Sequence, residues 1–169
     1  MKEKTNPLFK SLYSGDIGKK EFLQKYFKGK TLNDKHVLDM IQRGIANKDS
    51  SIIEEAITLI YTDAFPYSSF TLKLCELLQM HWHTKHEDIA MLLKDIADPA
   101  SVECIYEATE LQFDYLDYDD TYQFARKCIK ALSVIGNENA INKLNILSKS
   151  KVQKISDYAK KELHYKGLQ

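Results

Sequence analysis

Residues 125–147, ARKCIKALSVIGNENAINKLNIL, constrain the fold more than any other stretch of the chain. Ala125, Cys128, Ile129, Leu132 and Ile135 recur at steps of three and four, which sets them on one face of a helix. Gly136 follows the last of them, where a helix usually closes with positive φ. Asn137 can then cap a second helix with its side-chain oxygen. Ala140, Ile141, Leu144 and Leu147 give that second helix an apolar stripe of its own. The stretch therefore reads as two amphipathic helices joined by a tight corner.

The same unit occurs earlier. A shift of 39 residues carries Leu93 onto Leu132, Ile96 onto Ile135, Asp98 onto Asn137, Val102 onto Ile141 and Ile105 onto Leu144. A period of that length suits stacked helical pairs, none of which can bury its apolar face without a neighbour. Residues 47–51 resemble a third corner, with an insertion and without the Gly or Pro. The helix pair resembles a HEAT-like repeat of the bacterial type. Arg126, Ala131-Leu132, Ile135-Gly136 and Ala140-Ile141 stand where that repeat carries its Arg, Ala-Leu, Ile-Gly and Ala-Ile. The resemblance implies an all-α fold, a short alpha-alpha superhelix or solenoid whose concave face binds other macromolecules.

Read in order, the chain gives about nine helices in a single domain over 1–169. Residues 1–15 form a loose lead-in, since Asn6-Pro7 and Ser14-Gly15 are turn signals. Helices are expected over about 16–27, 34–46, 50–60, 68–79, 85–97, 99–112, 125–135, 137–147 and 152–163. Asp16, Asn33 or Asp34, and Ser50 or Ser51 are candidate caps for the first three. The last helix pairs Ile155, Tyr158, Ala159 and Leu163 with a Lys-rich outer face, so residues 150–169 would cap the stack.

Composition narrows function mainly by exclusion. Formal net charge is zero over 169 residues, which removes the bulk electrostatic argument for nucleic acid. The distribution is uneven. Residues 1–30 hold eight Lys against three acids, residues 95–125 hold nine acids and no Lys or Arg, and residues 126–169 hold ten basic groups against three acids. The acidic middle is either a set of solvated helix faces or a patch for a basic partner. Cys75, Cys104 and Cys128 each lie among apolar residues and form no Cys-x-x-Cys pair, so they are expected to be small, unpaired core residues in a reducing compartment. No apolar run approaches the roughly 18 residues of a membrane span, and the N-terminus has no apolar signal core. A cytoplasmic location is expected.

Two segments are candidate sites. In His81-Trp82-His83-x-x-His86-Glu87-Asp88, the spacing sets His83 and His86 on one helical face, as a metal would require. The alternative is a helix start in which Thr84 and Glu87 form a capping box and Trp82 packs down, with Trp82, His86 and Glu87 also available to a partner. The second segment, Phe113–Phe124, links two repeats with four acids and five aromatics. Tyr115, Asp117, Tyr118, Asp119 and Asp120 suit a basic partner, because Tyr offers large contact area and a polar tip. The same residues could instead cap the following helix or fill its core. The acids of this segment lack the EF-hand spacing of a calcium loop, and no phosphate loop or nucleophile motif occurs in the chain.

The combination of Trp82-His83-x-x-His86-Glu87-Asp88, Asp98-Pro99-x-Ser101-Val102, Tyr115-Leu116-x-Tyr118-Asp119-Asp120 and Ala125-Arg126-Lys127-Cys128 is similar to a group of small bacterial HEAT-repeat proteins, over residues 82–165. That resemblance implies a non-catalytic, monomeric protein-binding module, and for some such proteins an immunity protein that covers the active face of a basic toxin. HEAT-like hydroxylases hold two irons with several His-Glu pairs, whereas this chain has only His86-Glu87. No metal or cofactor is therefore expected. A hydroxylase-like enzyme and a HEAT-like DNA-binding protein, the latter using Lys151, Lys154, Lys160 and Lys161, are the alternatives.

Overall fold

The computed structural model describes residues 6–30, 33–62, 67–116 and 120–168. Among them the protein is all-helical, with ten α-helices, three short 3-10 turns and no strand. None of these helices is long and apolar enough to cross a membrane. The chain divides into two compact units, Met1–Tyr67 and Ser68–Gln169.

The first unit holds α1 (Pro7–Tyr13), α2 (Lys19–Phe27), α3 (Asp34–Asn47) and α4 (Ser50–Ile60). The helix count is ten rather than nine because α1 lies inside the expected loose lead-in. Asn6-Pro7 starts a helix there. The Asn6 side chain accepts the Leu8 amide at 3.1 Å and Pro7 occupies the first position, where its missing N–H costs nothing. Phe9 meets both Phe22 and Tyr26 edge-on, while Phe22 and Tyr26 stack, and this cluster joins α1 to α2 with Phe9 and Phe22 fully buried. The Asn6 amide also reaches Glu55 of α4 at 3.0 Å. α3 and α4 pack closely at Gly44, where a Cβ would stand 2.5 Å from Ile53 Cδ1. Asn33 caps α3 and Asp49 caps α4, the latter in place of Ser50 or Ser51. α2 begins at Gly18 without a side-chain cap, so Asp16 does not play that part.

The second unit holds α5 (Thr71–Leu78), α6 (His86–Ile96), α7 (Val102–Ala108), α8 (Gln123–Ile135), α9 (Glu138–Leu147) and α10 (Gln153–Tyr165). α8 is its hub, packing against α6, α7, α9 and α10. Phe124, Ala125, Cys128, Ile129, Ala131 and Leu132 are its buried face, as the three-and-four spacing requires. Facing them, Ile89, Leu92 and Leu93 of α6 are buried, each worth about 1.5–3 kcal/mol of removed apolar surface.

Three helix corners share one backbone geometry. Gly136 closes α8 in the left-handed region at φ 60°, and Asn137 accepts the Ala140 amide at 2.8 Å. At the equivalent corner, Ala97 closes α6 at φ 53° and Asp98 accepts the Ala100 amide at 2.9 Å. Lys48 and Asp49 repeat the device between α3 and α4, with φ 49° and a cap on the Ser51 amide at 2.9 Å. Each corner is a left-handed residue followed at once by an Asp or Asn cap, which satisfies orphan groups on both helices.

Cys75 on α5 and Cys104 on α7 form a disulfide, with Cα atoms 5.6 Å apart. This corrects the expectation of three unpaired cysteines. Cys128 alone remains a buried thiol, pushed up out of the ordinary thiol range by complete burial.

Candidate functional site

The histidine segment folds as a brace on the end of α5. α5 ends at Leu78, and its terminal carbonyls need partners. His83 Nε2 donates to Leu77 O at 2.9 Å, while His83 Nδ1 accepts the Lys85 amide at 3.1 Å. His86 Nε2 donates to Met80 O at 2.7 Å, and its Nδ1 accepts the Tyr115 hydroxyl at 2.9 Å. A carbonyl can only accept, so both Nε2 atoms carry the hydrogen, and His83 is neutral because its Nδ1 accepts an amide. Burial pushes His86 down to about 4, with the neighbouring His83 adding to the shift. Burial lowers His83 as well, against the upward pull of its bond to Leu77.

The rings stack, His83 on His86 with centroids 4.2 Å apart and His86 on Phe113 at 3.6 Å. His83 lies before α6, so the two rings do not share a helical face as the spacing implied; they meet by stacking, and all four ring nitrogens are engaged by the protein itself. A metal would have to displace those bonds. Among the described residues, no group of three or more His, Cys, Asp or Glu is placed to hold one.

Several site expectations change here. His86 is fully buried and cannot face a partner. The capping box is absent, since α6 starts at His86 with no side-chain cap and His83 takes the Lys85 amide instead. Glu87 pairs with Lys127 at 3.0 Å and ties α6 to α8. Trp82 is half-buried, edge-on to His83 at 5.2 Å. Tyr115, also half-buried, belongs to the histidine stack. Asp117, Tyr118 and Asp119 lie outside the described residues.

Asp120 is exposed and opens onto a different feature, a cavity of about 460 Å³. Its walls come from the chain after α7, the start of α8 and the start of α10. Leu111, Phe113, Leu116, Phe124, Val152 and Ile155 form the apolar part, and Glu110, Gln112, Asp120 and Ser150 the polar part. Phe113 joins the cavity to the histidine brace. Tyr122, on the wall, is 36% exposed and sits in the left-handed region at φ 54°. A bulky aromatic rarely adopts that conformation, and such residues gather at functional sites. Tyr122 also occupies the N-cap position of α8 without a side-chain cap, so Asp120 does not cap that helix.

Sequence reasoning marked Asp120 but missed Glu110, Leu111, Ser150, Val152 and Ile155. The only signal for them was that Glu110 belongs to the acidic run. Chemically, the cavity offers apolar walls and an acidic, amide-bearing rim. It suits a side chain with a carbon stem and a cationic tip.

No protein-family model matches this chain, and no curated protein or solved structure matches it either.

Proposed function

We propose that this chain is a non-catalytic HEAT-like repeat module, a short alpha-alpha solenoid, that binds a basic protein through the acidic, aromatic surface around the cavity. In this reading it acts as an immunity protein does, as a monomer, by covering the working face of a basic toxin. The observation that carries the reading is the cavity itself. It joins apolar depth, the exposed Tyr122 and the carboxylates of Glu110 and Asp120 on one surface, and interfaces concentrate binding energy in aromatic anchors of this sort. The repeated corners at Lys48-Asp49, Ala97-Asp98 and Gly136-Asn137 support the repeat architecture.

A cytoplasmic setting belongs to the same proposal. The Cys75–Cys104 disulfide pulls against it, because such bonds persist mainly where thiols are oxidised. Alkylating whole cells before lysis decides between them: labelled Cys75 and Cys104 mean a reducing compartment.

The test of function is direct. Capture a partner on the tagged protein, identify it, and titrate the purified pair by calorimetry. A basic partner is expected, with Glu110→Lys/Asp120→Lys weakening it about tenfold or more at low salt, as lost charge pairs at an interface do. Asp117, Asp119 and Asp120 changed together to Lys should weaken it further. A neutral or acidic partner, or unchanged affinity in both variants, would remove the acidic surface from the account.

A further inference from the structure

The Lys-rich face of α10 is a patterned surface rather than a diffuse one. Lys154, Tyr158, Lys161 and Tyr165 fall at i, i+4, i+7 and i+11, so they line one stripe along the helix, cation alternating with ring. Lys154 and Lys161 are exposed, and Tyr165 is 65% exposed. α8 lies alongside and adds Arg126 and Lys130, one helical turn apart. The Arg126 guanidinium stands 5.6 Å from the centre of the Tyr158 ring. Lys130 Nζ and Lys161 Nζ stand 6.0 and 5.7 Å from that of Tyr165. Tyr158 is held in place by its hydroxyl, which donates to Thr121 O at 2.7 Å. Among the described residues the strip contains one carboxylate, Glu162, which is engaged by Lys130 at 3.0 Å and has a side chain only 13% exposed. Asp157, on the adjacent face of α10, accepts from Gln153 at 2.7 Å.

The geometry points to a second binding function, independent of the acidic cavity: the α8–α10 strip holds single-stranded nucleic acid. Four cations against one carboxylate leave three positive charges in excess, since Lys130 is spent on Glu162, and that excess suits a polyanion. The alternation of ring and charge suits a polyanion that carries its own flat faces. An acidic peptide would use the charges and leave Tyr165 idle, and a duplex keeps its bases stacked on each other. From Lys154 to Tyr165 the stripe runs about 16 Å, enough for roughly four nucleotides of a stacked strand. Nothing in it reads base edges, so the binding is sequence-tolerant, built from phosphate contacts and stacking.

The experiment uses the full chain and fluorescein-labelled dT15, read by fluorescence anisotropy at 50 and 200 mM NaCl. Three to four phosphate contacts predict affinity about 20- to 50-fold weaker at the higher salt. Lys154→Glu/Lys161→Glu should abolish most binding at 50 mM. Tyr165→Ala should weaken it about fivefold or more and leave the salt dependence unchanged, because stacking releases no counterions. All three positions are exposed, and circular dichroism checks that the variants keep their helices. No binding at 50 mM salt overturns the proposal. So does an unchanged affinity in Tyr165→Ala, or equal displacement by poly-glutamate, either of which reduces the strip to bare charge. A duplex bound as tightly as dT15 overturns the single-strand assignment.

Discussion

His86 concentrates three jobs in one ring: it closes a helix carbonyl, receives the Tyr115 hydroxyl and stacks on Phe113. The second needs the neutral form, because a protonated Nδ1 cannot accept, and burial of the ring disfavours the charge as well. An ordinary imidazole titrates near 6.5, whereas burial holds His86 near 4. Between those values the unfolded chain takes up a proton that the folded one refuses. The stability tied to His86 is therefore complete above about pH 6.5 and drains away as pH falls toward 4. From pH 7.5 to pH 5 the loss should be on the order of 2 kcal/mol. Burial lowers His83 in the same direction. Urea unfolding at the two pH values measures the effect. His86→Phe should be less stable than the parent at pH 7.5, because it removes the donor to Met80 O and the acceptor of the Tyr115 hydroxyl, yet it should lose less on acidification. An identical pH response in both proteins would show that His86 is not the group responsible. The sequence announced this residue by its spacing from His83 and pointed to a metal or a surface. Its true role depended on carbonyls six residues upstream and a tyrosine 29 residues downstream, which spacing alone does not locate.

Helices and corners were the most legible scale. Nine of the ten helices follow from apolar recurrence, and the ninth-to-tenth discrepancy has a local cause, since Asn-Pro signals a turn and a helix start equally well. All three corners were legible, but the left-handed residue within them only where Gly marked it. Ala97 carries the same left-handed geometry as Gly136 without the glycine, and so reads in sequence as a plain helix end. The pair makes a reciprocal prediction. Ala97→Gly should stabilise the protein by roughly 0.5–1 kcal/mol, by relieving the left-handed Cβ. Gly136→Ala should destabilise it by about 1–2 kcal/mol, from that strain plus crowding. Its added Cβ would lie 2.8 Å from Lys166 Nζ and 3.2 Å from Ser133 O. Thermal unfolding of both variants checks the pair, and a destabilised Ala97→Gly protein would contradict the reading of the corner.

At the scale of the whole chain, the disulfide and the charge pattern act over distances no local window covers. Cys75 and Cys104 close a loop with a sequence separation of 29, and the cross-link acts chiefly by restricting the unfolded chain. Cys75→Ser/Cys104→Ser, or reduction by dithiothreitol, should lower stability by roughly 3–4 kcal/mol. A reduced protein that melts where the oxidised one does would show that the bond contributes nothing. The segregation of acids into residues 95–125 and bases into 126–169 was plain in the sequence, and it places opposite signs within the second unit. By itself, then, the sequence determined the helices, their buried faces and the repeated corner, because apolar periodicity and cap chemistry are written within a few residues of one another. Tertiary structure decided the rest. It set the burial of His83 and His86, the Cys75–Cys104 bond, the cavity walled by residues from 109 to 155, and the alignment of Arg126 and Lys130 with the tyrosines of α10. Each of those depends on which helix faces meet across long stretches of chain, and many sequences with the same helical pattern could pair those faces differently.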